Sequence, residues 1–191
     1  MRYSADHKAE VLQRLLSSSG ELAKSGGFAT TGVDGLMKAI GLSGGAFYSH
    51  FSSKQELFAA VIQNELESSP IARAIDDGQT DLPRLQQCLD QYLSLSHAQH
   101  PKAGCVLPAL GAEIARADSN VRTKVETSLS DCQKAWAGAT GDGQLAWGLM
   151  AQCVGALVLA RMMQNEETQK EVLEASRALS KSQLDSIPTH S

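Results

Sequence analysis

Residues 26–62 read GGFATTGVDGLMKAIGLSGGAFYSHFSSKQELFAAVI, and the fold is decided by how this stretch is punctuated. Gly26 and Gly27 stop the segment before them, and Thr30 and Thr31 offer N-caps to a short helix carrying Val33, Leu36, Met37 and Ile40. That helix closes at Gly41, the residue type suited to a left-handed turn at a helix end. Ser43 stands ready to cap a second short helix two residues later. Two short helices joined by Gly41-Leu42-Ser43 satisfy the helix-turn-helix pattern. Leu42 is the apolar plug between them, while Gly44, Gly45 and Ala46 leave the second helix slim enough at its start to approach base edges in a major groove. Phe47 and Phe51, four apart, point inward together and are core rather than readers. Tyr48, His50 and Lys54 fall on the outer side or at its end, where a phenol, an imidazole and an ammonium reach phosphate oxygens.

Working outward, Ser52 and Ser53 cap a longer helix from 54 to about 69, with Leu57, Phe58, Val61, Ile62 and Leu66 on its buried face. On the other side, residues 6–25 place Val11, Leu12, Leu15, Leu16, Leu22 and Ala23 on one stripe, interrupted by polar Ser17 to Gly20. Residues 70–80 have an ambiguous period, with a loop expected at Asp76-Asp77-Gly78. Helical periods return over 82–99, 105–116, 120–137, 144–165 and 168–184. No segment alternates in the manner of a strand, so the expected class is all-α with short connections.

The chain has 191 residues, 42% of them hydrophobic, which excludes a disordered or collagen-like polymer. Its net charge of -4 is unevenly spread: residues 1–54 hold six Lys and Arg against four Asp and Glu, and the remainder holds eleven against seventeen. A mildly basic head on an acidic body fits a polyanion-binding end. Cys88, Cys105, Cys132 and Cys153 form no paired motif of the kind that holds zinc. The longest apolar stretch, 149–160, is broken by Gln152, and the N-terminus is polar, so the expectation is a cytoplasmic protein without a membrane span. There is no Ser-His-Asp order, and GATGDG at 138–143 lacks the lysine of a phosphate-binding loop. Neither enzyme activity, nor a metal, nor a cofactor is expected.

The quoted stretch resembles the DNA-binding domain of the tetracycline-repressor (TetR) family of bacterial transcription regulators. The family pattern G-[FY]-x-x-T, then G-[LV]-S-x-G-[AT]-[FLI]-Y-x-[HY]-F-x-[SN]-K-x-x-L, is met at almost every position. The resemblance implies a three-helix DNA-binding domain over residues 1–53 and a helical ligand-binding and dimerisation domain over 54–191. It implies phosphate contacts from Tyr48, His50 and Lys54, base contacts around Gly44, Gly45 and Ala46, and a backbone contact from Thr31. Because Gly44 and Gly45 offer no side chain for readout, Ser43 and Lys38 are expected to share the base contacts. Residues 92–118, YLSLSHAQHPKAGCVLPALGAEIARAD, resemble a subgroup of the same family. The function implied is a sequence-specific regulator of a palindromic DNA operator, a repressor released by a small molecule.

Tyr92, His97, Cys105, Leu110, Trp136, Trp147, Met150 and Cys153 are candidates to line a cavity between the central helices, and their character suits an apolar or aromatic inducer. Each is equally at home in a core. Cys105 falls at the first turn of the 105–116 helix, where unpaired N–H groups favour thiolate, which makes an electrophile-sensing switch the alternative to plain burial. Glu113, on the same helix, is expected to face water. The 144–165 segment is apolar nearly all round, with Gly148, Ala151 and Gly155 on a small-residue side. With 168–184 it either builds a two-fold, four-helix homodimer interface or serves as the central core helix.

Overall fold

In the computed structural model, residues 5–69 and 81–188 are described, and the loop expected at 76–78 lies outside them. Every regular element among the described residues is helical. The N-terminal helices are α1 (Ala5–Gly26), α2 (Val33–Ala39), α3 (Gly44–Phe47) and α4 (Lys54–Glu67). Gly41 takes φ +76° after α2, and the N–H groups of Gly41 and Leu42 return to the carbonyls of Lys38 and Met37 at 3.0 and 2.9 Å. This is the wrapped helix end that a glycine permits. Arg14 of α1 donates to the Ile40 carbonyl at 3.0 Å and so ties α1 to the same turn.

Two local expectations need correction. The N-cap of α2 is Gly32, without a side-chain bond, because the hydroxyls of Thr30 and Thr31 donate backward to the carbonyls of Gly26 and Gly27. They finish α1 instead of starting α2. Ser43 does occupy the N-cap position of α3, but its side chain makes no capping bond. By contrast, Ser53 caps α4 through its hydroxyl, which accepts from the Glu56 N–H at 3.1 Å, and the Glu56 carboxylate accepts from the Ser52 N–H at 2.7 Å. That reciprocal pair stabilises the first turn of α4.

The polar break in the α1 stripe has a packing reason. A side chain at Gly20 would run into the Glu65 carboxylate, which lies across it from α4. Glu65 pairs with Lys24 at 2.6 Å, both side chains being almost fully buried, and Lys24 also donates to the Gly104 carbonyl at 3.1 Å. A slim, polar α1 surface thus admits an ion pair between the first helix, the fourth, and a loop far along the chain.

The body contains α5 (Leu82–Tyr92), α6 (Leu95–Gln99), a 3₁₀ turn (Pro101–Ala103), α7 (Leu107–Ala115), α8 (Ser119–Thr140), α9 (Gly143–Met162) and α10 (Glu166–Asp185). The single helix expected over 82–99 is two. Ser94 caps α6 by accepting from the His97 N–H at 3.2 Å, and Arg177 of α10 takes the Leu93 carbonyl at 2.7 Å, so the break is satisfied on both sides. Asp118, Asp142 and Asn165 cap α8, α9 and α10 through side-chain oxygens.

Two apolar cores result. The first joins Leu15, Leu36, Phe47, Leu57 and Ile62 of α1–α4 to Val106, Leu110, Ile114, Val121 and Val125 of the body, so it extends well past residue 53. The second fills the space between α5, α8, α9 and α10 with Leu89, Tyr92, Trp136, Leu149, Cys153, Leu157 and Leu173. Helix α9 is long and apolar enough, by length and composition, to cross a membrane. In this fold its Leu149, Met150, Cys153, Leu157 and Ala160 are buried in the second core, while Trp147, Gly148, Ala151, Leu159 and Met162 lie exposed.

Candidate nucleic-acid interface

Helix α3 is one turn long, and its position comes from α2 beneath it. Gly44 is held close to α2, since a Cβ there would collide with the Asp34 carboxylate; Gly45 faces open space. Gly44 therefore serves the packing of the two helices, and Gly45 alone keeps the outer surface slim. Phe47 and Phe51 are buried with ring centroids 5.9 Å apart. The Tyr48 ring stands edge-on to Phe47 at 5.3 Å and is 71% exposed, so its hydroxyl projects from a fixed base.

Around it, Lys38, Ser43 and Gly45 are exposed, whereas Thr31, Gly44, Ala46, His50 and Lys54 are half-buried. Burial, then the nearby Lys8 charge, lowers the His50 pKa below the ordinary 6.5. The Thr31 hydroxyl is engaged by the Gly27 carbonyl at 3.1 Å. The Lys54 ammonium donates to the Ala29 carbonyl at 2.9 Å and lies 5.1 Å from the centre of the Phe28 ring. Lys54 is therefore held in a braced position at the start of α4.

Behind this surface Glu113 of α7 is not directed at water, as the sequence had suggested. Its two carboxylate oxygens accept from the N–H groups of Phe28 and Ala29 at 3.1 and 2.9 Å. A hollow of about 610 Å³ opens beside it, between Phe28, Lys54, Phe58, Arg116 and Val121. Sequence reading missed this role because the partner turn lies 85 residues away. The only local signal is an acidic residue beside Ile114 on an otherwise apolar helix.

The candidate body residues are not brought into one cavity. Leu110 belongs to the first core, and Tyr92, Cys105, Trp136, Met150 and Cys153 are buried in the second. The Trp136 indole N–H is buried without a hydrogen-bond partner. Trp147 is nearly half exposed, and with Met150 it borders an apolar cleft of about 360 Å³ that also meets Leu107, Gly111, Ile114 and Val154. His97 borders a separate hollow with Ser94, His100 and Gly104.

Cys105 does not have the environment expected of an activated thiol. It precedes the Val106 N-cap of α7, its own N–H donates to His97 Nε2 at 2.9 Å, and burial pushes the thiol pKa up. Burial raises the other three cysteines as well. His97 in turn has Nδ1 2.8 Å from the Tyr92 carbonyl, so the ring is neutral with its proton on Nδ1. Arg161, unremarked in the sequence, donates to the carbonyls of His97 and Ala98. Among the described residues no group of three or more His, Cys, Asp or Glu is placed to hold a metal ion.

The family model described as "Bacterial regulatory proteins, tetR family" matches residues 15–61, the span of α1 to α4 that builds this surface. Residues 15–61 carry the DNA-binding domain of the TetR family. An uncharacterized HTH-type transcriptional regulator in the lacX 3' region of Lactococcus lactis subsp. lactis is 26% identical over 188 residues, covering 92% of this chain and 93% of that one. Reduced NemR of E. coli shares the fold with a TM-score of 0.76 at 22% identity, over 91% and 96% of the two chains. A TetR transcriptional regulator from Legionella pneumophila does so with a TM-score of 0.71 at 18% identity, over 95% and 98%. TetR-family proteins are DNA-binding transcription regulators that act as dimers on operators, and this chain is a DNA-binding transcription regulator.

Proposed function

We propose that the chain is a homodimeric repressor that binds a palindromic operator through Lys38, Ser43, Tyr48, His50 and Lys54 and leaves it when a small apolar or aromatic molecule occupies the body. The observation that carries the DNA part is the exposed Tyr48 at the tip of α3, flanked by exposed Lys38 and Ser43 and backed by two buried phenylalanines. An apolar foundation fixes the polar groups before DNA arrives, so little ordering is required on binding. The ligand part is supported by the cleft beside Trp147 and Met150, whose lining is apolar throughout.

Dimerisation is supported by the bare side of α9 and α10. Leu159, Met162 and Leu179 are each at least half exposed, beside Gly148 and Ala151, which permit close helix approach. Two heads about 34–36 Å apart then read successive major grooves on one side of the duplex. Ligand in the body favours a dimer whose heads do not meet that spacing, which is a population shift rather than a blockade of the DNA surface.

Selection from a random duplex library at near-physiological salt tests the reading. The wild-type chain is expected to enrich one palindromic site, and the Tyr48→Ala/Lys54→Ala double variant to enrich none. Equal enrichment by both proteins, or a site without two-fold symmetry, contradicts it.

A further inference from the structure

We propose that Glu113, a residue of the body, is a positioning residue for the DNA contact made by Lys54. The inference rests on the DNA-binding reading above and assigns it a component outside the helix-turn-helix. The link is short and continuous. Glu113 accepts from the N–H groups of Phe28 and Ala29, and the same Ala29 offers its carbonyl to the Lys54 ammonium. The two sides of one turn are therefore held by an anion and a cation from different helices.

Lys54 gains a direction from this arrangement. An ammonium has three N–H donors; with one on the Ala29 carbonyl, two remain for a phosphate. The Phe28 ring, packed on Phe58 at 4.7 Å, supports the same ammonium from below. A carboxylate bonded to two backbone N–H groups is a charge-assisted pair, so the turn that aims Lys54 is stiffer than its own backbone makes it. Residues 28 and 29 lie in the loop between α1 and α2, Phe28 buried and Ala29 exposed. Without Glu113, two of its N–H groups have only water to meet.

The helix that carries Glu113 also lines the apolar cleft through Gly111, Ile114 and Ala115. Any occupant that displaces α7 displaces the carboxylate with it. The body thereby influences a phosphate contact directly, in addition to any change in the separation of the two heads.

The test measures operator affinity over a salt series for the wild type, Glu113→Gln, Lys54→Met and the double variant, using the site enriched by the wild type. Glutamine keeps the size and one acceptor oxygen but loses the second acceptor and the charge. Glu113→Gln is expected to weaken binding by about tenfold and to lower the log–log salt slope by about one per head, as Lys54→Met does. The double variant is expected to bind no worse than Lys54→Met, because both changes remove one contact. An unchanged salt slope in Glu113→Gln, or losses that add in full, overturns the proposal.

Amide hydrogen exchange on the wild-type chain without DNA adds a readout that does not depend on a variant's folding. The Phe28 and Ala29 amides are expected to be protected relative to Thr30, and exchange as fast as Thr30 overturns the proposal. Failure of the wild type to bind any duplex specifically, with both amides protected, overturns the DNA reading and this inference with it, but leaves the Glu113 contact standing.

Discussion

Tyr48 and Tyr92 differ in exposure by nearly the full range, 71% at the tip of α3 against 1% in the second core. Other pairs repeat the contrast. Lys54 is half-buried at the rim of the head while Lys24 is buried between helices, and His50 lies near the surface while both ring nitrogens of His97 are bound inside the body. The head presents its polar chemistry outward on an apolar base, and the body encloses its own. Exposed groups set affinity and leave stability nearly untouched, whereas enclosed ones hold helices in register and are costly to remove. The same residue type therefore carries opposite expectations in the two regions.

The largest effect is expected at the enclosed ion pair. Lys24→Met leaves the Glu65 carboxylate buried without its cation and removes the bond to Gly104, at an expected cost of about 3–5 kcal/mol. Lys134→Met breaks the solvent-exposed pair with Asp131 and is expected to change nothing measurable. Urea unfolding followed by circular dichroism compares the two. Equal midpoints would mean that the Lys24 pair is no more than a surface contact.

Next in size is the bare side of α9. Leu159 is 50% exposed and Met162 69%, and a charge placed among them is incompatible with an apolar helix–helix contact. Leu159→Arg is expected to convert the dimer to a folded monomer by sedimentation velocity. Operator affinity is expected to fall by about a hundredfold or more, because the second head no longer adds to the first. A dimer that survives the substitution with unchanged affinity moves the interface elsewhere.

The contrast between head and body also governs what was legible in the sequence. The head was read almost whole, since its determinants lie within a few turns of one another: Gly41 at the turn, Leu42 in the joint, Phe47 and Phe51 inward, Tyr48 outward. Its errors were local too, as with Thr30 and Thr31, whose hydroxyls turn back to the carbonyls of Gly26 and Gly27 instead of forward to α2. The helical class of the body was legible from its period, but its contacts were not. Periodicity identifies a buried face without saying which core it joins, so Leu110 and Trp136 were grouped although they serve different cores. Glu113 and Lys24 escaped for the same reason. Their partners, 85, 41 and 80 residues distant, are brought near only by the packing of other helices.

The smallest effect expected is a dependence on pH that separates the two histidines. His97 accepts from the Cys105 N–H through Nε2, and protonation there would set one donor against another. Burial is the main cause of its lowered pKa, with Arg161 and Lys24 adding to it and the bond to the Tyr92 carbonyl opposing it. The unfolded chain titrates this group near 6.5, so above that pH the neutral ring contributes its full stability. As the pH falls below 6.5 toward the lowered folded value, the unfolded chain takes up a proton that the folded chain refuses, and stability declines. His50 is displaced in the same direction and is likewise half-buried, so the two ring bonds of His97 set the pair apart. His97→Gln is thus expected to flatten the decline between pH 6.5 and 5 in denaturant unfolding, and His50→Gln to flatten it less. If the two variants are interchangeable, the ring bonds of His97 add nothing to its burial, and the enclosed chemistry of the body is weaker than its geometry implies.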